Sequence, residues 1–511
     1  MSPFTLSMVY SMKQVLLACL VLLVAGCQPA SGQLATLESN AEGDIQRLSP
    51  AYTPTPAPTP LPTLPPTPPA PDSDETAALL PGNPGDVLLH DAPHYWLTLT
   101  LDAGEGVYTL QGTARIRYTN TSGEPLHTLA FLLPPASDTM RAGPIMVDGI
   151  LLPIQYAEDG HSFSVDLPRA LSTETMIDIT VPFELDVAPS DGVLYVEAPA
   201  PLIPRYDDVW QTTVSPYANG AGNMPLARFD MVIDAPADLE CAVTGVVVER
   251  ESGGDGRQML HAVSGPARLI AVAAGTFVEV ERMAGEVLLR AWMLPEHEEE
   301  AEVVLQAADR MLALLGEQWV PYPYAELDLV DVPGWRGDGA AGIVPLGAAG
   351  TNTVVDEVLT AVATQWTAGL LGSDSIQQPW IREALTLFAR VKYDEERFGV
   401  GAGTGYLTNL RAALREEGDA ERALDQSALD FDTMEIYMID AGYKGALFLE
   451  SLRWTMGRSA FNAFLQSLFL ENRFGFVSGQ ELQRVAEEAC ACDLRSLFEL
   501  WVWEGGPLAL P

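Results

Sequence analysis

Apolar and polar positions alternate along His94-Tyr95-Trp96-Leu97-Thr98-Leu99-Thr100-Leu101 with a period of two. Successive side chains of a strand point to opposite faces, so this period predicts a half-buried strand. Residues 112–118 and 176–181 repeat the alternation, and the clusters Asn120-Thr121-Ser122-Gly123 and Glu158-Asp159-Gly160 supply turns between such runs. The stretch from about His90 to Ala291 therefore reads as many short strands, an antiparallel saddle or sandwich. The period changes near Pro295. Within residues 298–317, Val303, Val304, Ala308, Met311, Leu312 and Leu315 recur at helical spacing, behind acids that suit a helix N-terminus. A second helical stripe runs through Val355, Val358, Leu359, Val362, Trp366 and Leu370, with Asp356, Thr360 and Thr364 sharing another face. Residues 411–433 read as a polar connector, and residues 444–453 as a further helix.

The expected fold class is α+β, with an N-terminal antiparallel β domain over 86–290 followed by a mainly α domain over 291–511. A chain of 511 residues, 48% of them hydrophobic, is long enough for two or three domains with sizeable cores.

The first 85 residues lack such periodicity. Met12 to Cys27 reads MKQVLLACLVLLVAGC: one basic residue, Lys13, then a short apolar run ending in Val24-Ala25-Gly26-Cys27. That run falls well short of the roughly 20 apolar residues of a membrane span. It resembles a bacterial lipobox, so residues 1–26 are expected to be a lipoprotein signal peptide and Cys27 the lipidation site. Residues 27–85 read as a lipid-anchored, Pro-rich disordered linker. Eleven prolines lie between Pro50 and Pro71. Extended polyproline II at about 3.1 Å per residue would make this segment a stalk of roughly 70 Å. The expectation is an extracytoplasmic, membrane-anchored bacterial lipoprotein whose membrane contact is its lipid.

A formal charge of −41 excludes nucleic acid as a partner and argues against docking on anionic lipid, since both need a basic face. Lysine occurs only at Lys13, Lys392 and Lys444. Lys444 is expected to pair with an acid inside the fold. Cys490 and Cys492 could bridge, bind a soft metal or lie buried as small hydrophobes, and burial is the expectation.

Residues 354–390 carry the candidate chemistry: VVDEVLTAVATQWTAGLLGSD, then SIQQPWIREALTLFAR. Gln365-Trp366, Pro379-Trp380 and Glu383 together resemble the frame of the gluzincin aminopeptidases, the membrane alanyl aminopeptidase family. Those enzymes carry H-E-x-x-H-Q-W on one helix and a third zinc ligand, a glutamate, on the next. The β region resembles their saddle-like domain through residues 110–112, 118–120, 229–233 and 243–245. The resemblance implies a thermolysin-like (gluzincin) second domain. It covers about residues 90–511, and the chain's last residues fall where many relatives continue into a helical repeat domain.

At the positions where that family keeps its reactive groups, this chain has others. Thr360 and Thr364 stand where the zinc histidines belong, and Ala361 stands where the catalytic glutamate belongs. Gly342 occupies the place of the amine-binding glutamate, and Gly442 that of the tyrosine which stabilises the tetrahedral intermediate, with Tyr443 next to it. Of the ligand positions only Glu383 is retained, and no histidine follows His297. A catalytic zinc needs about three nitrogen or carboxylate ligands. Zinc is the cofactor the family implies, yet its ligands are missing, so no cofactor and no catalytic residue is expected.

The leading expectation is a pseudopeptidase that binds a peptide, a protein segment or a small ligand in a cleft lined by Asp356, Thr360, Thr364, Glu383 and Tyr443. Two other readings stay open. One is an active metal-dependent aminopeptidase with an unconventional set such as Asp356, Glu357 and Glu383. The other is an envelope scaffold with a vestigial cleft. At single positions the plainer readings also stay open: the threonine hydroxyls bond their own helix, Trp366 and Trp380 anchor the core, and Glu383 pairs on the surface with Arg382 or Arg390, the latter sharing its helix face but too far along it for direct contact.

Overall fold

The computed structural model describes residues 75–80, 91–104, 106–133, 139–217, 222 and 224–506. The lipobox, Cys27 and the proline run lie outside them. Among the described residues no helix is long and apolar enough to cross a membrane.

The chain folds as a mixed α+β structure, sheet-rich at its N-terminal end and helical at its C-terminal end. The largest sheet among the described residues has nine strands. Its centre is the run His94–Gly104, Val107–Thr119 and Met176–Val187, paired antiparallel. The period-two pattern decides their faces. Along Met176–Val187 buried positions alternate with half-exposed ones, and Ile179, Val181 and Leu185 are sealed in the core. Gly112 sits where a Cβ would come within 2.5 Å of Phe183 and 2.9 Å of Leu99, so only glycine lets these strands close on the core. The expectation of an antiparallel domain is corrected at one pairing: His94–Gly104 runs parallel to Ala227–Pro236. That pairing joins residues more than 120 positions apart, and local alternation carries no information about strand direction.

A second sheet, Val278–Ala284, Val287–Met293, Glu326–Asp331 and Ile343–Leu346, starts the helical region. Its second strand spans the expected 290/291 division, so the two regions share a continuous core. The helix expected over 298–317 is a 3-10 turn, Pro295–Glu300, followed by an α-helix, Ala301–Gln318. The helices that frame the candidate site are Val354–Thr364, Trp380–Phe398 and Lys444–Met456. The expected connector over 411–433 begins inside a helix, Val400–Glu416. Gly399 at φ +90° and Gly457 at φ +81° each separate two consecutive helices, a backbone conformation that other residues adopt at a cost.

Two contacts bind the regions together. Arg268, beside the strand Arg257–Ala267, donates to the carbonyls of Met224, Phe474 and Gly475, and burial pulls its guanidinium down to about 10. Its charge and that of Arg205 both lie over the ring of Phe476, at 4.2 and 4.6 Å. The second contact is the segment 75–80, which falls in the span expected to be linker. The Leu80 N–H donates to Pro323 O, and Ala325 N–H to Ala78 O.

Candidate functional site

The helix Val354–Thr364 turns its apolar stripe inward. Val358, Leu359 and Val362 are buried, and after it a π-helical turn, Gln365–Leu370, seats Gln365 and Trp366 in the core. A π turn inserts one extra residue per turn and rotates the residues beyond it. Trp366 is fully buried and donates through Nε1 to Val320 O at 2.8 Å; Trp380 is fully buried too. Both are core anchors. Gln365 spans the gap to the segment 340–342. Its Nε2 donates to Ala340 O at 2.9 Å, and its Oε1 accepts the Gly342 N–H at 2.9 Å. Gly342 has φ +72°.

Thr360 and Thr364, expected from the sequence to stand at histidine positions, turn back on their own helix. The Thr360 hydroxyl donates to Asp356 O at 3.1 Å and is exposed. The Thr364 hydroxyl donates to Ala361 O at 2.7 Å and is buried. Ala361 presents only a methyl. The acids near them are engaged elsewhere. Asp356 is exposed and pairs with Arg390 at 2.8 Å. Glu357 accepts the N–H groups of Gly347 at 3.0 Å and Ala348 at 2.8 Å, and burial pushes its carboxyl above the usual range. Asp356, Glu357 and Glu383 therefore do not act as one ligand set.

Glu383 lies in the first turn of Trp380–Phe398 and is buried, 7% exposed. Its Oε1 accepts from Arg382 Nε at 3.1 Å and from Arg382 Nη2, and from the Tyr437 hydroxyl at 2.8 Å. The other end of that guanidinium, Nη1, pairs with Asp338. The Arg382 pairing weighed from the sequence is present, but it is interior: Arg382 is 8% exposed. The two carboxylates hold the guanidinium well above its ordinary pKa despite burial, and the Tyr437 phenol is raised, mainly by burial and then by the Glu383 charge.

Rings cover this cluster. Tyr217, from the β region, stacks on Tyr437 with centroids 4.7 Å apart and donates its hydroxyl to Phe431 O at 2.5 Å. Phe431 meets Tyr437 edge-on. Tyr437 stands at the start of the π-helical turn Met438–Tyr443. At Gly442 an added Cβ would meet Leu387 at 3.1 Å, Met438 at 3.3 Å and the Glu383 Cβ at 3.5 Å. Position 442 thus faces Glu383, with two apolar side chains filling the space a ring would need. Tyr443 has other neighbours: burial raises its phenol, and the charges acting on it are Glu435 and Glu417.

Two further expectations can be compared with the structure. Lys444 hydrogen-bonds to carbonyls, while the charges of Asp440 and Asp419 also act on it. It donates to Asp419 O at 3.3 Å, to Ala420 O at 2.9 Å and to Arg422 O. Cys490 and Cys492 are joined as a disulfide, and neither is buried. A left-handed Ala491, φ +50°, brings the two sulfurs onto one side.

A zinc ion does not fit this donor set. Two hydroxyls are spent on their own helix, one carboxylate is held by a guanidinium, and no imidazole is present after His297. Among the described residues no group of three or more His, Cys, Asp or Glu side chains is placed to hold a metal ion. Sequence reasoning did not assign Asp338, Tyr437 or Tyr217 to the site; Tyr437 carried no signal beyond lying seven residues before Lys444.

The fold is that of known peptidases. The M1 zinc metallopeptidase of Deinococcus radiodurans superposes with a TM-score of 0.61 at 20% identity, over 82% of this chain and 95% of that one. A mutant of the Deinococcus radiodurans M1 zinc metallopeptidase bound to a Tyr-Ser-Ala substrate gives 0.60 at 20% identity, over 82% and 96%. A mutant two-domain M1 zinc metallopeptidase bound to L-arginine gives 0.60 at 20% identity, over 82% and 95%. No family model matches the sequence, and no curated protein matches it.

Proposed function

We propose that this protein is a non-catalytic, peptidase-like lipoprotein of the cell surface that binds a peptide or protein segment without cleaving it. One observation carries the reading: the retained Glu383 carboxylate is engaged by Arg382 and Tyr437, while the hydroxyls at both histidine positions bond their own helix. Water activation on zinc needs an open coordination position on a firmly held ion. These residues offer neither.

Three observations support the remaining parts. The two-domain peptidase scaffold is kept, and one structural neighbour is described with a Tyr-Ser-Ala substrate bound. A separate open pocket of about 500 Å³ is lined by Asp159, His161, residues 212–216 and Leu429. Its carboxylate, imidazole and hydroxyls suit the polar groups of a short peptide. The Cys490–Cys492 disulfide supports an oxidising location outside the cytoplasm, consistent with a lipid on Cys27.

A second reading also has an observation behind it. The Tyr217–Tyr437–Phe431 stack covers Glu383, which favours a scaffold whose former cleft is only part of the core.

Purified protein with added zinc is incubated with Tyr-Ser-Ala and with chromogenic amino-acid amides, and both turnover and binding are measured. The proposal expects no chelator-sensitive release and saturable binding of the intact peptide. Metal-dependent trimming of the peptide would overturn it, and absence of any binding would leave the scaffold reading in its place.

A further inference from the structure

We propose that Arg382 is a built-in replacement for a metal cation, and that its guanidinium bars a divalent ion from Glu383 independently of the missing histidines. Restoring the lost ligands alone would then not restore the metal.

Adjacent helical residues point about 100° apart, so Arg382 and Glu383 should face different surroundings. Here the long arginine stem folds back, and the guanidinium reaches Glu383 with Nε and Nη2 and Asp338 with Nη1. Arg382, Glu383 and Tyr437 are all buried. A carboxylate taken out of water needs a positive partner or several donors. In a metallopeptidase frame the ion itself supplies that charge. In this chain the guanidinium supplies it, and the Tyr437 hydroxyl adds a third donor to the same oxygen.

A planar, permanently charged fork suits this task better than lysine. It spans two carboxylates at once and is not deprotonated in the physiological range. An incoming divalent ion would have to displace these hydrogen bonds and sit beside a fixed positive charge in a poorly solvated site, where repulsion is strong.

The test uses the full chain in three forms. The first carries Thr360→His, Ala361→Glu and Thr364→His. The second adds Arg382→Gln, and the third adds Arg382→Lys instead. Each is loaded with zinc and desalted, then assayed for metal content and for melting temperature with and without zinc. The expected result is little retained zinc in the first and third forms. The second should retain about one zinc per chain, the stoichiometry of a catalytic site, and should melt higher with zinc than without.

Stoichiometric zinc in the first form, or a second form that folds and still refuses zinc, would overturn the proposal. If the second form does not fold, Arg382→Met in the same triple background replaces it: zinc retained there and refused by the first form upholds the barrier, and refusal by both overturns it. The outcome is separable from the proposed function, which concerns turnover by the natural chain.

Discussion

The Tyr437 hydroxyl donates to Oε1 of Glu383 at 2.8 Å, across 54 positions of sequence. The same oxygen takes two contacts from Arg382, so this buried carboxylate is satisfied by protein groups alone.

Removing that hydroxyl tests how much the cluster depends on it. Tyr437→Phe keeps the ring against Tyr217 and deletes one donor to a buried charge. Hydrogen bonds to charged groups contribute about 1.5–3 kcal/mol. A loss in that range should appear as a lower urea midpoint with an unchanged slope. An unchanged midpoint would mean that Arg382 alone satisfies Glu383.

Gln365→Ala removes two buried hydrogen bonds, to Ala340 O and from Gly342 N–H. The expected loss is about 2–3 kcal/mol, since both backbone groups are left without their partner. Hydrogen exchange should also quicken at Gly342. Protection equal to the parent would show that the segment holds itself.

His94 makes an acid-sensitive contribution. Burial, then the charges of Arg228 and Arg117, bring its pKa down from 6.5 to about 3. Between those values the unfolded chain binds a proton and the folded chain does not. Stability therefore falls as pH drops from about 6.5 towards 3, by up to about 1.4 kcal/mol per pH unit from this group. His94→Phe, which keeps a ring against Trp96 (3.8 Å in the parent), should flatten that part of the curve. Parallel curves for parent and variant would exclude the assignment.

The Cys490–Cys492 bridge encloses one residue, Ala491. Loop-closure entropy grows with loop length, so a ring this short gives only about 1–2 kcal/mol. Reductant should lower the melting temperature by a few degrees at most. A collapse of the fold on reduction would mean that the bridge holds more than its own turn.

The range of each interaction decides how much of the fold and site was legible in the sequence. The strands and the apolar face of the Val354–Thr364 helix come from local periodicity, and Thr360, Ala361 and Thr364 are read straight off the chain. The parallel pairing of His94–Gly104 with Ala227–Pro236 is long-range, so alternation could not reveal it. The interior Arg382 pairing depends on a side chain curling against its helical direction. Tyr437 enters beside a π-helical turn, which the 3.6-residue repeat does not anticipate. The sequence suggests an acid near Lys444 without saying which, and the charges of Asp440 and Asp419 do act on it. The three loop carbonyls that take its hydrogen bonds carry no signature in residue type.

Zinc content of the natural full-length chain, measured after saturation with the metal and desalting, tests the central claim most directly. The account predicts far less than one ion per chain, since hydroxyls bonded to their own helix and a guanidinium-held carboxylate cannot retain it. One firmly held zinc per molecule would contradict it.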